Sequence, residues 1–572
     1  VLFRQVDLIL LHAPSIYDFR KTPHLLGPIS DVVPSTPIFE MYPVGFSAIV
    51  DHLLRHKLSV RIVNLAYRML ENPDFDVEKF IAKLNPVAFG IDLHWLPHAH
   101  GSIEIAKICK KLHPKIPVMF GGYSATYFHQ ELIQYPAVDF VLRGDTTEDS
   151  IRLLLEQLKS ESPQFHAIPG LTWQNVAGET VINDPVRPSG ELLQNSNNYL
   201  NLFRMAIKFL DIKSLIAIRD WWEYPITAIM TCRGCTQNCI ICGGSQKSVK
   251  DYVYREKIGF RNPEKVAADV AQVSRFTRAP IFIIGDLHQG GYDYAAAVFE
   301  KLRERKIKNE IVLELFIPAR ESFFDDLSRS VKNFNFEMSP ESHDPVVRRK
   351  SGKYYSNAAM ENNIRWALDR GCKKFDIFFM IGLSHQTYES VLETVDYCAY
   401  LIETFGPRCV PFISPLAPFL DPGSLAYENA DAYGYRIRFK TLEEYRQALL
   451  QPSWKHVLSY ETEWLDREAI VQATYEAGRR LTRIKAKFGL VTPEQEAHTL
   501  ANIDRALEKH QKIERLDLSQ IDLKDQRKYL ENLGFDMERD SISTICYKHE
   551  IRWPKARKAF KFISIAKAIL FE

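Results

Sequence analysis

Short apolar runs alternate with helical patterns over residues 6–160. The runs at 6–12, 59–64, 86–92, 116–120 and 138–143 are rich in Val, Ile, Leu and Phe, which suits strands buried on both faces. Helical patterns lie between them near 43–56, 76–84, 99–113 and 147–160. Five β/α units predict a doubly wound parallel sheet. Such sheets bind ligands beyond the C-terminal ends of their strands, so the loops after Leu11, Asp92, Phe120 and Arg143 matter most. Residues 161–220 break the rhythm: Gly170-Leu171-Thr172-Trp173, a turn at Ala177-Gly178 and Thr180-Val181-Ile182 read as a hairpin within a connector. A second alternation begins at Pro225, with strands expected at 226–230, 281–284, 311–316, 334–338, 375–380 and 410–414. Helices are expected near 262–275, 293–306, 357–370 and 388–404. Six strand-first units predict a partial β/α barrel whose active site sits at the C-terminal strand ends. After about Pro422 strand patterns stop, and 438–572 reads as mostly helical, with charged amphipathic stretches such as 463–486. The expected organisation is an α/β chain: a sheet domain at 1–160, a connector at 161–220, a barrel at 221–422 and a helical region at 423–572.

Composition narrows the function classes. Of 572 residues, 46% are hydrophobic and 25% charged, an ordinary globular balance. Aromatics reach 12%, which suits large apolar cores or an apolar substrate. A net charge of +2 gives no bulk attraction to nucleic acid, so no nucleic-acid partner is expected. No apolar run is long enough for a membrane span, and the first residues lack a signal peptide's plan. Nine cysteines are present, at 109, 232, 235, 239, 242, 372, 398, 409 and 546. Four of them crowd into one short segment, which reads as a metal site in a reducing cytoplasm rather than a disulfide framework.

That segment runs Thr231-Cys-Arg-Gly-Cys-Thr-Gln-Asn-Cys-Ile-Ile-Cys-Gly-Gly-Ser245, directly after a predicted strand. Cys235, Cys239 and Cys242 have the spacing C-x3-C-x2-C. Thiolates suit soft metal centres and iron–sulfur clusters. Three ligands on a four-iron cluster leave one iron open to bind another molecule. Cys232-x2-Cys235 and Cys239-x2-Cys242 also form two pairs, which suit a structural zinc or a fully ligated cluster, although the gap between them is short for a zinc ribbon.

The spacing and its flanking Arg-Gly-Cys, Asn-Cys and Ile-Cys pattern resemble the radical S-adenosylmethionine superfamily. The resemblance implies a [4Fe-4S] cluster on Cys235, Cys239 and Cys242 whose open iron chelates S-adenosylmethionine. One electron, from a donor such as flavodoxin or ferredoxin, then cleaves the sulfonium and yields a hydrogen-abstracting radical. It further implies S-adenosylmethionine contacts at Gly285 and Asp286 after the second barrel strand. Ser339, Glu341 and Ser342 after the fourth strand and Gly382 after the fifth complete that set. Ser384 stands where the family has Pro, and residues 411–418 are expected near the adenine. Cys232 departs from the three-ligand pattern. Glu314 and Arg320 flank the end of the third strand, as substrate-positioning groups or as an ordinary ion pair.

The first domain resembles the Rossmann-like cobalamin-binding domain that precedes many such barrels. The matching pieces are His12-Ala-Pro-Ser15, Tyr42-Pro-Val-Gly-Phe46, Phe120-Gly-Gly-Tyr-Ser-Ala-Thr126 and the segment from Val138 to Asp145. They imply cobalamin contacts at Pro14, Ser15, Gly121, Gly122, Ser124 and Gly144. Asp92-Leu-His94 is similar to the Asp-x-His-x-x-Gly signature of cobalt-ligating domains, but Pro97 occupies the glycine position and the motif follows the third strand instead of the first. His94 is therefore not assigned to cobalt; with Asp92 it is expected on the ligand face, and a satisfied strand-end histidine is the other reading.

Together these resemblances imply a cobalamin-dependent radical enzyme that methylates an unactivated carbon of a small-molecule or lipid-like substrate. The alternatives are radical carbon–carbon bond formation, cyclisation or rearrangement, and a non-catalytic metal- or corrinoid-binding protein. The basic, apolar stretch at 553–571 is expected to form a helix docked on the body of a cytoplasmic protein. A peripheral membrane helix is the other reading, and it would favour a lipid substrate.

Overall fold

The structure is a computed structural model that describes residues 5–21, 24–28, 33–188, 192, 198–416, 419–515, 545–555 and 561. The first sheet contains β1 (Val6–His12), β2 (Val60–Asn64), β3 (Pro86–Asp92), β4 (Val118–Gly121), β5 (Phe140–Leu142), β6 (Leu171–Gln174) and β7 (Thr180–Ile182). Their order is β2-β1-β3-β4-β5-β6-β7, and the first five run parallel. The helices Gly45–Arg55, Ala99–Leu112 and Glu148–Gln157 bury their apolar stripes in the same core, so strand residues of both parities are apolar. The strand order reverses between β1 and β3. A crevice opens at such a switch point, here beyond His12 and Asp92.

The hairpin taken as part of a connector belongs to this sheet. Leu142 of β5 pairs antiparallel with Leu171 of β6, and β7 forms the edge. The sheet therefore extends to residue 182, beyond the expected boundary at 160. Sequence pattern identified the hairpin, but strand pairing over such a distance leaves no local mark.

The second sheet starts with β8 (Thr227–Met230). A small antiparallel ribbon follows, β9 (Cys232–Arg233) with β10 (Gly259–Phe260). β11 (Ile281–Ile284), β12 (Ile311–Leu315), β13 (Phe334–Glu341), β14 (Phe375–Ile381) and β15 (Cys409–Pro415) complete the parallel set. Its order is sequential, β8 to β15, and its two edge strands do not pair, so it is an open barrel. Each strand starts within one residue of its expected start, and β13 runs on to Glu341, beyond its expected end at 338.

The C-terminal region is mainly helical, with the amphipathic helices Arg467–Lys487 and Pro493–Glu514. It also carries strands, against expectation: β16 (Tyr435–Ile437) pairs antiparallel with β17 (Tyr460–Thr462). Two three-residue strands are too short for a period-two signal. The expected terminal helix at 553–571 lies almost entirely outside the described residues. Among the described residues no helix is long and apolar enough to cross a membrane.

Candidate active site

The cysteine loop leaves β8 and is held by its surroundings on several sides. Gly352, at φ +92°, lets the chain after β13 approach it: a Cβ there would lie 2.5 Å from the Asn238 carbonyl. The Gln237 N–H donates to Cys235 Sγ and the Gly244 N–H to Cys242 Sγ, each at 3.3 Å. Sulfurs that receive backbone N–H bonds are prepared to carry negative charge. Burial nevertheless raises the thiol pKa of all three, that of Cys239 to about 11, so a bound metal must supply the charge that displaces the protons. Among the described residues no trio of His, Cys, Asp or Glu converges tightly enough for a single ion. A cluster asks for less convergence, because each thiolate takes a different iron. Cys232 is separate, buried in β9 beside Gly285, where a Cβ would come within 2.8 Å of its sulfur.

The strand-end residues assigned to S-adenosylmethionine divide into two groups. Glu341 sits beside the cysteines. A bulge in β13 between Met338 and Glu341 re-aims the strand end, and Glu341 adopts φ +65°, costly for a residue with a Cβ. Its carboxylate forms a buried ion pair with Lys353 at 2.9 Å. Lys353 also donates to the Ser339 carbonyl. Beyond the effect of burial, the Lys353 ammonium lowers the thiol pKa of Cys235 and Cys239, while Glu341 raises that of Cys239. Other assigned groups are engaged in structure. Asp286 is fully buried and accepts the Phe316 N–H at 2.8 Å. The Ser342 carbonyl accepts from Arg348 at 2.8 and 2.9 Å. Gly382 makes room for Tyr460, whose hydroxyl would lie 2.2 Å from a Cβ. Residues 417 and 418 of the expected adenine segment lie outside the described residues.

A cavity of about 1020 Å³ opens between the two sheets and runs through the barrel. Thr227 and Phe282 line it at strand starts, Met230 and Gly285 at strand ends, together with Cys235 and Cys242. Its wall is mostly apolar, with Trp221, Phe282, Phe316, Phe378 and Trp553 among the aromatic residues. Glu314 and Glu337 interrupt that wall. They are register partners on β12 and β13, and Asp376 of β14 is the next partner in the row. Burial pushes Glu314 up to about 7, and burial with the neighbouring Glu314 and Asp376 carboxylates pushes Glu337 higher still. Burial therefore favours the uncharged form of both carboxyls. The Gly285 N–H donates to Glu314, and Lys374 pairs with Asp376 at 2.9 Å. The segment around Ile551 closes the barrel from below. Lys548, Ile551, Arg552 and Trp553 line the cavity, and Arg552 pairs with Asp220 at 2.8 Å.

The opposite wall belongs to the first sheet. Of the residues assigned to cobalamin, Asp92, His94, Gly121, Gly122 and Gly144 line the cavity. A Cβ on Gly121 or Gly144 would meet nothing closer than 3.8 Å and would project into free space, so the missing side chains leave a broad cradle. Pro14 and Ser15 do not reach the cavity. The Pro14 carbonyl packs against Gly101, and Ser15 donates to the Pro37 carbonyl at 3.3 Å. Ser124 is buried and donates to the His94 carbonyl at 3.4 Å. Asp92 binds two rings: its Oδ1 meets His12 Nδ1 at 3.0 Å and its Oδ2 meets His94 Nδ1 at 2.7 Å. The Phe39 carbonyl accepts from His12 Nε2 at 2.9 Å. Burial opposes charge on both members of the His12–Asp92 pair, yet each raises the other's preference for its charged form: His12 is raised and Asp92 is held well below the carboxylate range.

A charged clamp joins the two walls. Arg255 donates to both oxygens of Asp145, at 2.6 and 2.9 Å, and Arg233 pairs with Glu148 at 2.5 Å. Arg233 is part of the cysteine motif, so the clamp ties the loop after β5 to the metal loop. Sequence reading missed Arg255, Glu148, Glu337 and Lys353. Only Asp145 and Arg233, inside quoted motifs, carried a signal, and their pairing is non-local.

Comparison with known proteins agrees with this geometry. Residues 31–153 match the B12 binding domain, and residues 229–398 match the radical SAM superfamily. The chain thus carries a B12 binding domain match ahead of a radical SAM superfamily match. Among solved structures it resembles TsrM, a radical S-adenosylmethionine methyltransferase from Kitasatospora setae solved with tryptophan substrate and an S-adenosylmethionine analogue. That likeness has TM-score 0.57 and 15% identity over 86% of this chain and 90% of that one. It also resembles the cobalamin-dependent S-adenosylmethionine radical enzyme OxsB with aqua-cobalamin and S-adenosylmethionine bound. There the TM-score is 0.56, with 13% identity over 99% of this chain and 78% of that one. A curated relative is the uncharacterized methyltransferase PH0819 of Pyrococcus horikoshii, 26% identical over 208 residues. The match covers 36% of this chain and 40% of that protein.

Proposed function

We propose that this protein transfers a methyl group to an unactivated carbon of a largely apolar small molecule held in the cavity. The observation that carries the reading is one cavity shared by two cofactor walls: the glycine cradle of the first sheet faces the cysteine loop of the barrel. When bound, the cluster and S-adenosylmethionine supply a hydrogen-abstracting radical, and cobalamin supplies the methyl group. Cys235, Cys239 and Cys242 would hold the cluster; Gly121, Gly122 and Gly144 would leave room for the corrin. Lys353 and Glu341 set the charge beside the cysteines. The aromatic lining orients an apolar substrate and excludes water, which protects a radical from side reactions. Glu314 and Glu337 offer a hydrogen-bond donor and acceptor on that lining, for a polar group of the substrate. A small electron-transfer protein of the flavodoxin or ferredoxin type would supply the reducing electron.

The test is anaerobic reconstitution with iron, sulfide and cobalamin, reduction, and addition of S-adenosylmethionine with candidate apolar substrates. The expected products are a methylated substrate, S-adenosylhomocysteine and 5′-deoxyadenosine. Formation of 5′-deoxyadenosine with a cyclised or cross-linked product and no S-adenosylhomocysteine would replace methyl transfer by another radical outcome. Zinc without iron in the anaerobically purified protein would overturn the reading.

A further inference from the structure

Glu314 and Glu337 set two carboxyls into the apolar barrel wall of the cavity, and the fold supplies them with no counter-charge. Among the described residues Glu337 accepts no N–H and pairs with no cation; its contact is the carboxyl of Glu314. Glu314 accepts the Gly285 N–H. The cations nearby are committed elsewhere. Lys374 pairs with Asp376 at 2.9 Å and donates to the Glu550 carbonyl. Arg233 and Arg552 line the cavity but pair with Glu148 and Asp220, and Lys548 donates to the Ser35 carbonyl at 2.8 Å. Asp286, which faces Glu314, has His288 as its own partner, and burial keeps the Cys232 thiol neutral. Aromatic rings frame the pair. Phe316 follows Glu314 by two residues and Phe378 follows Asp376 by two, and both line the cavity. Phe378 stacks on Phe412 at 5.1 Å between centroids, which fixes its ring. Carboxyls between aromatic faces are the surroundings that a desolvated ammonium needs: the carboxylates offset its charge and the ring faces attract it. An anionic group would be repelled there, and a hydroxyl would leave the excess of carboxyls as it is.

We propose that Glu314 and Glu337 form the anchoring subsite for a protonated amine of the substrate, which makes the substrate an alkyl- or arylalkylamine. This rests on the reading above that the cavity holds the substrate, and it does not depend on methyl transfer. Glu314 is tied to Gly285 at the end of β11, so an amine seated on the pair directs its carbon skeleton along the aromatic wall, within the cavity that Cys235 and Cys242 also line. Binding makes and breaks no covalent bond. The ammonium enters charged, and the carboxyl pair gives up a proton to solvent, because a cation in contact favours the carboxylate form and reverses the preference that burial imposes.

The test is isothermal titration of the full-length chain, reconstituted with iron, sulfide and cobalamin and left unreduced, without S-adenosylmethionine, so that no turnover occurs. The probes are phenethylamine, phenethyl alcohol and hydrocinnamate, which share an apolar body and differ in the terminal group. Near neutral pH the amine is expected to bind at least about tenfold more tightly than the alcohol, with hydrocinnamate weakest. Titration in two buffers of different ionisation enthalpy is expected to show proton release with the amine and none with the alcohol. Glu337→Gln is expected to lose most of the preference and to reduce the proton release, while the alcohol binds as before. Equal affinity for amine and alcohol, tighter binding of hydrocinnamate, amine binding without proton release, or binding of none of the three overturns the assignment. The unsubstituted chain decides the question even if Glu337→Gln fails to fold. Each of those outcomes leaves methyl transfer standing, because the titration involves no turnover. A radical product without S-adenosylhomocysteine would remove methyl transfer and leave the amine subsite standing.

Discussion

The two walls of the cavity are built alike and act differently. The first is the C-terminal edge of a parallel β/α sheet, and the second is the interior and strand ends of another. The wall of the first sheet works by omission: Gly121 and Gly144 clear a broad surface. The barrel wall works by addition, with three thiols, the Lys353–Glu341 pair and the carboxyls of Glu314 and Glu337. A large flat cofactor needs area and shape, whereas a cluster and its ligand need particular donor atoms. One architecture serves both because strand ends fix loop positions and leave loop chemistry free.

Four variants probe this division, in falling order of effect. Replacing Cys235, Cys239 and Cys242 together by Ala should take iron from about four per chain to none. Cobalamin affinity should barely change, and anaerobic metal analysis with cobalamin titration would show whether the walls are chemically independent. Arg255→Ala removes a buried guanidinium from the half-buried Asp145 carboxylate and should destabilise the chain by about 1–3 kcal/mol. A lowered urea midpoint with faster proteolysis between the sheets is expected; an unchanged midpoint would show that the clamp does not join the walls. Gly122→Ala forces a Cβ to 2.6 Å from His94 at φ +114° and should cost more than about 1 kcal/mol. It should lower cobalamin occupancy and leave iron content intact, the mirror image of the cysteine substitution.

The smallest effect concerns pH. The carboxyl of Glu314 is raised from 4.5 to about 7 in the folded chain, so folding takes up a proton over that interval. The stability it contributes is present at low pH and is lost as pH rises through 7. Glu314→Gln should reduce that loss by about 1–2 kcal/mol between pH 5 and 8. Urea titrations at those two pH values check it, and equal slopes in both proteins would remove the raised Glu314 carboxyl from the account.

Much of the fold was legible because buried parallel strands write continuous apolar runs. β1, β3 and β11 lie where the pattern placed them. The three cysteines were legible because their spacing is local. Glu314 was visible at a strand end, but its partner Glu337 was not, since register between β12 and β13 joins residues far apart in the chain. The antiparallel addition of β6 and the Arg255–Asp145 clamp were hidden for the same reason. Pro14, Ser15, Ser124 and Gly382 matched motifs, yet they pack against the protein's own chain. A motif names a loop, and packing decides which of its atoms reach the cavity.

The central claim is that cobalt and cluster occupy one cavity from opposite walls. The most direct measurement is the microwave power saturation of the cob(II)alamin signal, with the cluster oxidised and then reduced to its paramagnetic state. Faster relaxation of cobalt on cluster reduction, lost in the triple cysteine variant, is the predicted result. Identical saturation in the two states, in a chain shown to hold both cofactors, would place them too far apart to share a substrate and would contradict the account.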